Sequence, residues 1–223
     1  MVTKKRSLIE NVALAILKHP YNAIVYTIAF SLLPFFSFVS SVIIALVSLR
    51  RGFKASMFIA AWAILPTLAL YAYQGMLLWG ICLWGLNYLI IALLANVLRI
   101  SRSWGWVFAI QTVFVFVALA VMKLFFPNYL VLLQQTAFKA LEYWQQNGLQ
   151  GADVSSLQAY LSEYMLAMQV FLVSLESLAT IAMARSIQAR LFYPDGYKFE
   201  ITHFRLHLAN ISLFFLAFPV LFF

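Results

Sequence analysis

The chain has 223 residues, 65% of them hydrophobic and only 10% charged, with a mean hydropathy of +0.92. Soluble domains carry about 25% charged residues, so this composition excludes a soluble globular protein and implies a helical membrane protein with several spans. The net charge of +8 does not point to nucleic acid, because the basic residues lie at the ends of apolar runs, where membrane topology places them.

The first 20 residues, "MVTKKRSLIENVALAILKHP", are basic. Their apolar stretch carries Glu10, Asn11 and Lys18, and no small-residue cleavage site follows, so they read as a cytoplasmic segment rather than a cleaved signal peptide. Tyr21–Leu49 comes next, apolar throughout, with Pro34 near its middle. It is either one long kinked helix or two short segments that turn around Pro34. Ala55–Tyr73, Gly75–Leu98, Trp104–Phe126 and roughly Tyr164–Ala184 are clear spans, and a further run covers Leu206–Phe223.

Charge favours two short segments in the first region. With the N-terminus in the cytoplasm, that choice places all of the 15 Lys and Arg residues except Lys123 and Lys139 on the inner side. The expected fold class is therefore all-α, a polytopic transmembrane bundle of about six helices forming a single domain. An amphipathic helix is expected at the outer interface within residues 127–155. There Leu130, Leu133, Ala137, Leu141 and Trp144 share one face, and Gln134, Gln135, Lys139, Glu142 and Gln145 fall largely elsewhere. "NGLQGADVSS" breaks it, with Ser155 as the expected N-cap of a helix running from Ser156 to about Leu191.

Glycines recur at 75, 80 and 85 in "GMLLWGICLWG". The five-residue spacing is not a GxxxG face and predicts local close packing or distortion. Trp79, Trp104, Trp106, Tyr71 and Tyr73 suit interfacial belts. The single cysteine, Cys82, lies in an apolar run and forms no internal disulfide.

Polar residues inside the spans are the functional candidates. Glu176, in "VFLVSLESLATIAM", lies near the middle of its span, where a carboxylate costs roughly 2.5 kcal/mol or more. It is either a ligand, ion or proton site, or a protonated side chain that holds a neighbouring helix. Gln169 shares its helical face seven residues earlier, and Asn87 and Gln111 lie inside two other spans. Together these four form a candidate ligand-binding cavity; singly, each is a helix–helix hydrogen bond. Glu200, His203 and His207 have a spacing compatible with metal ligation, but no Cys or second acidic cluster joins them, and no metal or cofactor is expected. No nucleophile–base pair or phosphate loop is present, so the chain does not read as an enzyme, and energised transport would need an ATPase on another chain.

The polar segment between the last two apolar runs reads as an inner loop over residues 185–205. Arg185 and Arg190 close a helix C-terminus, Pro194-Asp195-Gly196 is a turn signal, and Glu200 and Arg205 precede the last run. "ARSIQARLFYPDGYKFEITHFRL" (Ala184–Leu206) resembles a segment of YybS-like bacterial membrane proteins, and "ALVSLRRGFKAS" (Ala45–Ser56) looks like that family's first inner loop. The family is similar in predicted fold to the substrate-binding subunits of energy-coupling-factor vitamin transporters. The resemblance implies a bacterial inner-membrane location, an outward-facing small-molecule pocket, and docking on a coupling membrane protein with paired ATPases. Arg185, Arg190, Asp195, Gly196, Glu200 and Arg205 are the candidate docking residues. Members are typically longer, so either the sequence is truncated at its C-terminus or the last helix ends in the membrane. The alternative reading is a membrane scaffold whose intramembrane polar residues only hold helices together.

Overall fold

The computed structural model describes residues 7–33, 36–75, 77–125 and 154–193, with isolated positions between 131 and 143 and residues 197, 200 and 202. Among them every regular element is helical. The elements are α1 (Leu8–Lys18), α2 (Pro20–Ser31), α3 (Ser37–Arg51), α4 (Phe53–Tyr73), α5 (Leu77–Gly80), a π-helical turn (Ile81–Gly85), α6 (Leu86–Ser101), α7 (Trp104–Phe125) and α8 (Val154–Phe192). Three helices contain stretches long and apolar enough to cross a bilayer: Phe53–Tyr73, Trp104–Leu124 and Leu166–Phe192. A shorter apolar helix covers Leu86–Ser101.

The ambiguous first region is two helices. Pro20 occupies the first turn of α2, where a proline costs no hydrogen bond, and His19 is extended before it. Separate helices α2 and α3 follow, packed against one another. At about 1.5 Å per residue they are roughly 18 and 22 Å long, short of the ~30 Å hydrocarbon thickness. The turn at Pro34 itself lies outside the described residues.

The described chain forms two compact units, residues 1–108 with 176–207 and residues 109–175 with 208–223. In the first, α3 is central and packs on α2, α4 and α6, burying every residue from Ser40 to Leu49. Two apolar clusters surround it. One joins Ile16, Ala23, Ile43, Val47 and Ile59; the other joins Ile44, Ala60, Ala63, Tyr88 and Ala92. Small residues let these backbones approach, as packing in lipid requires. Ser48 Oγ thereby donates to Ala92 O at 2.8 Å, and Ser40 Oγ to Thr27 O at 2.8 Å.

The glycine-rich stretch distorts as its spacing predicts. Gly80 packs so closely on Tyr71 of α4 that an added Cβ would lie 2.8 Å from that side chain. The π turn follows it, letting α6 resume beside α4. α8 is 39 residues long and begins at Val154. Ser155 is therefore inside the helix rather than its N-cap. Most of the expected outer amphipathic segment, and the whole run Leu206–Phe223, fall outside the described residues.

Candidate functional site

The first unit gathers its arginines at one end. α1 ends there, because Arg51, in the last turn of α3, donates through Nη2 to the carbonyls of Leu17 (2.5 Å) and Lys18 (3.2 Å). Those carbonyls have no partner inside their own helix, and the guanidinium supplies one. α3, α6 and α8 all bring their C-termini to this end, where positive side chains are favoured by the helix dipole.

A cavity of about 540 Å³ opens among these helix ends. Leu49 and Arg50 of α3, Leu98 and Arg99 of α6, and Arg185, Gln188 and Ala189 of α8 line it, together with Arg102, Tyr193 and Glu200. Among the described residues, four guanidiniums thus share the space with one carboxylate.

Each arginine is placed by its neighbours. Arg185 and Glu200 form a two-pronged ion pair: Nε donates to Oε2 at 3.0 Å, and Nη2 donates to Oε1. Both side chains are about one-fifth exposed (20% and 22%), so the pair is only partly screened by solvent. Arg185 Nη1 donates to Gln188 Oε1 at 2.6 Å, and Gln188 Nε2 donates to Leu49 O at a longer 3.4 Å. This chain of contacts ties α8 to the end of α3. Arg50 lies over the Phe192 ring, 4.3 Å from its centroid, a cation–π contact between the same two helices.

Arg99 rests against the backbone of Gly52, which has φ +94° and ψ 176°, a region open in practice only to glycine. A Cβ there would collide with Arg99 Nη1. Arg102 is the left-handed cap of α6, with φ 51°. Beside the cavity, burial and then the Glu200 carboxylate push the Tyr197 phenol above its ordinary 10.0.

Of the expected docking residues, Arg185 and Glu200 meet directly and line this cavity, whereas exposed Arg190 does not line it. Asp195, Gly196 and Arg205, like His203 and His207, lie outside the described residues. Arg50, Arg99 and Arg102 count in the sequence only as topology markers, and Gln188 and Tyr193 carry no signal there. A recurrence does hint at the site: basic residues close α3, α6 and α8 alike.

Asn87 and Glu176 belong to the first unit, Gln111 and Gln169 to the second. Asn87 and Glu176 are both half-buried. The Tyr88 hydroxyl, on a side chain only 1% exposed, lies beside Ser40 and within the field of Glu176. It nonetheless makes no hydrogen bond of good geometry among the described residues. In the second unit Gln111 Nε2 donates to Ser174 Oγ at 2.8 Å, joining α7 to α8, while Gln111 Oε1 meets no described partner. Gln169 is half-buried on α8, five residues before Ser174. Among the described residues no group of three or more His, Cys, Asp and Glu is arranged to hold a metal.

No family model matches the chain, and neither does any curated protein or solved structure.

Proposed function

We propose that this chain is a small-molecule-binding, transport-related membrane subunit, and that its arginine-lined cavity holds an anion. One observation carries the reading: among the described residues, four arginines and a single glutamate line a cavity of about 540 Å³. A basic residue at one helix C-terminus has an ordinary explanation in the dipole. Four around one cavity leave positive charge in excess, and that excess is a reason to bind an anion.

The transport half of the proposal rests on the resemblance to YybS-like proteins. The two patches that carry it, Ala45–Ser56 and Ala184–Leu206, contribute Leu49, Arg50, Arg185, Gln188, Ala189, Tyr193 and Glu200 to the cavity. In this reading the bundle of about six helices lies in the bacterial inner membrane, and α2 and α3, each shorter than the hydrocarbon thickness, enter it and return. The N-terminus and the arginine end face the cytoplasm. That end engages an ATPase and its coupling subunit, and the chain itself is a binding protein rather than an enzyme. Glu176 and Asn87 of the first unit remain proposed ligand-binding residues, as do Gln111 and Gln169 of the second.

A second reading, a membrane scaffold, is favoured by the Gln111–Ser174 hydrogen bond, which joins two helices as structural glue would.

Native mass spectrometry of the full chain from mild detergent separates the two. The binding reading expects a retained anionic species or co-purifying ATPase subunits. It also expects the anion to be lost from an Arg99→Gln/Arg102→Gln variant that still folds. A protein carrying only bulk lipid, identical in wild type and variant, leaves the scaffold reading in place.

A further inference from the structure

Resting on the reading of Glu176 as a ligand-binding residue, we infer that its ligand is a proton, taken up and released by its carboxyl, and that the Tyr88 hydroxyl turns between Ser40 and Glu176 as this happens.

Depth brings the three residues together. α3, α6 and α8 end at one place, since Arg50, Arg99 and Arg185 line a single cavity. Ser40 lies ten residues before Arg50, Tyr88 eleven before Arg99 and Glu176 nine before Arg185. At about 1.5 Å per residue, all three sit roughly 14–17 Å from the arginine end, half of the ~30 Å hydrocarbon thickness. The side chains agree with this count. The Tyr88 hydroxyl lies beside Ser40 and close enough to the Glu176 carboxyl to interact with it electrostatically.

Bonds already made fix the polarity of this group. Ser40 Oγ donates to the Thr27 carbonyl at 2.8 Å. A carbonyl only accepts, so the single hydroxyl hydrogen of Ser40 is committed, and Ser40 offers Tyr88 nothing but lone pairs. The Tyr88 hydroxyl is the free member of the group. Its side chain is 1% exposed, and it completes no hydrogen bond among the described residues. If it gives its hydrogen to Ser40, it turns an acceptor toward Glu176. A carboxylate is itself only an acceptor and cannot answer, whereas a carboxylic acid has the O–H to do so. The run from Glu176 through Tyr88 and Ser40 to Thr27 is therefore complete only while Glu176 holds a proton.

Release of that proton to water reverses one bond. The ionised carboxyl takes the Tyr88 hydrogen, and Ser40 keeps its bond to Thr27. Glu176 is half-buried and Tyr88 is buried, so the carboxyl is the open end of the run, where the proton exchanges. Among the described residues Glu176 has no ion pair that would hold it charged. In the sequence of the first unit, α3 carries no titratable side chain before Arg50, α6 none between Tyr88 and Arg99, and α8 none between Glu176 and Arg185. α4 keeps Lys54, Tyr71 and Tyr73 near its ends, and α1, α2 and the π turn add Glu10, Lys18, Tyr21, Tyr26 and Cys82.

The test is infrared difference spectroscopy of the full chain, with ring-deuterated tyrosine, in phosphatidylcholine nanodiscs. The protein is titrated over the pH range in which it stays folded. A protonated carboxyl has a C=O stretch that a carboxylate lacks. One such band is expected to appear and vanish with pH in the wild type and to be lost from Glu176→Gln. A tyrosine C–O band is expected to shift with the same midpoint, and to stay still in Glu176→Gln. Tyr88→Phe removes only the hydroxyl. There the Glu176 band is expected to persist but move to higher frequency, because the acid has lost its acceptor; a tyrosine that merely packed would leave that frequency unchanged.

A Glu176 band present at every pH overturns the inference and the ligand-binding reading of Glu176 with it, since the carboxyl is then fixed glue between helices. A carboxyl ionised throughout also overturns the inference. If its carboxylate bands then respond to sodium chloride and not to choline chloride, Glu176 remains a ligand-binding residue and the ligand is a metal cation. A tyrosine band that ignores the Glu176 titration overturns the part assigned to Tyr88. Should Glu176→Gln fail to fold, Tyr88→Phe decides: an acid band that stays at its wild-type frequency there overturns the inference.

Discussion

The arginine end of the first unit and the Gln111–Ser174 contact of the second solve the same problem differently. Both place polar side chains in a chain built mostly of apolar helix. In the second unit a donor on α7 meets a hydroxyl on α8, and the contact involves no charge. At the arginine end, among the described residues, Glu200 answers Arg185 and Phe192 answers Arg50, while Arg99 and Arg102 are exposed and have no ion pair. A site that only joined helices would be expected to resemble the second region. The anion-site proposal rests on that difference.

The largest effect is expected from breaking the Arg185–Glu200 ion pair in the cavity wall. Arg185→Leu leaves the Glu200 carboxylate and Gln188 without their partner. With both charged side chains about one-fifth exposed, the cost is about 2–3 kcal/mol, below that of a fully buried pair. Thermal unfolding in detergent measures it. Removing Glu200 as well, in Arg185→Leu/Glu200→Leu, is expected to restore most of the loss, because two missing charges cost less than one stranded charge. A double variant no more stable than Arg185→Leu would mean that packing, not pairing, organises this end.

A smaller effect comes from the backbone beneath Arg99. Gly52→Ala places a Cβ at φ +94° and into Arg99 Nη1, at an expected cost of about 1–2 kcal/mol. Gly75→Ala is the control. Gly75 also has positive φ, +73°, but open space around it. The difference between the two unfolding midpoints isolates the collision with Arg99 from backbone strain. If the two variants lose the same stability, Arg99 is not held against Gly52, and this wall of the cavity is looser than described.

Much of this architecture is legible in the sequence because membranes impose simple rules. The candidate spans in α4, α7 and α8 lie in runs legible by length, whereas the run Gly75–Leu98 is broken into α5, the π turn and α6. That the first region holds two helices, α2 and α3, is the choice that charge favours in the sequence. The site was harder to read. Arg50, Arg99 and Arg102 look like topology markers, and nothing local shows that three separate helix ends converge on one space. That is a tertiary fact, carried by contacts such as Gln188 with Leu49, 139 residues apart. Glu176 stands out in sequence for its depth, yet the described cavity is not lined by it. Depth marks what a residue costs, not what it touches.

The smallest expected effect tests the other side of the comparison. Gln111→Leu removes the hydrogen bond to Ser174 but also removes Oε1, an acceptor without a described partner. Hydrogen bonds between membrane helices average about 0.6 kcal/mol. Ser174 can turn its hydroxyl back to a carbonyl of its own helix, which recovers part of that. The unfolding midpoint should therefore fall only slightly, and affinity for an anionic probe at the arginine end should not change. Loss of ligand binding from a Gln111→Leu protein of undiminished stability would reverse the comparison. The quiet hydrogen bond would then be functional, and the polar residues of α7 and α8, rather than the arginines, would be the place to look for the substrate.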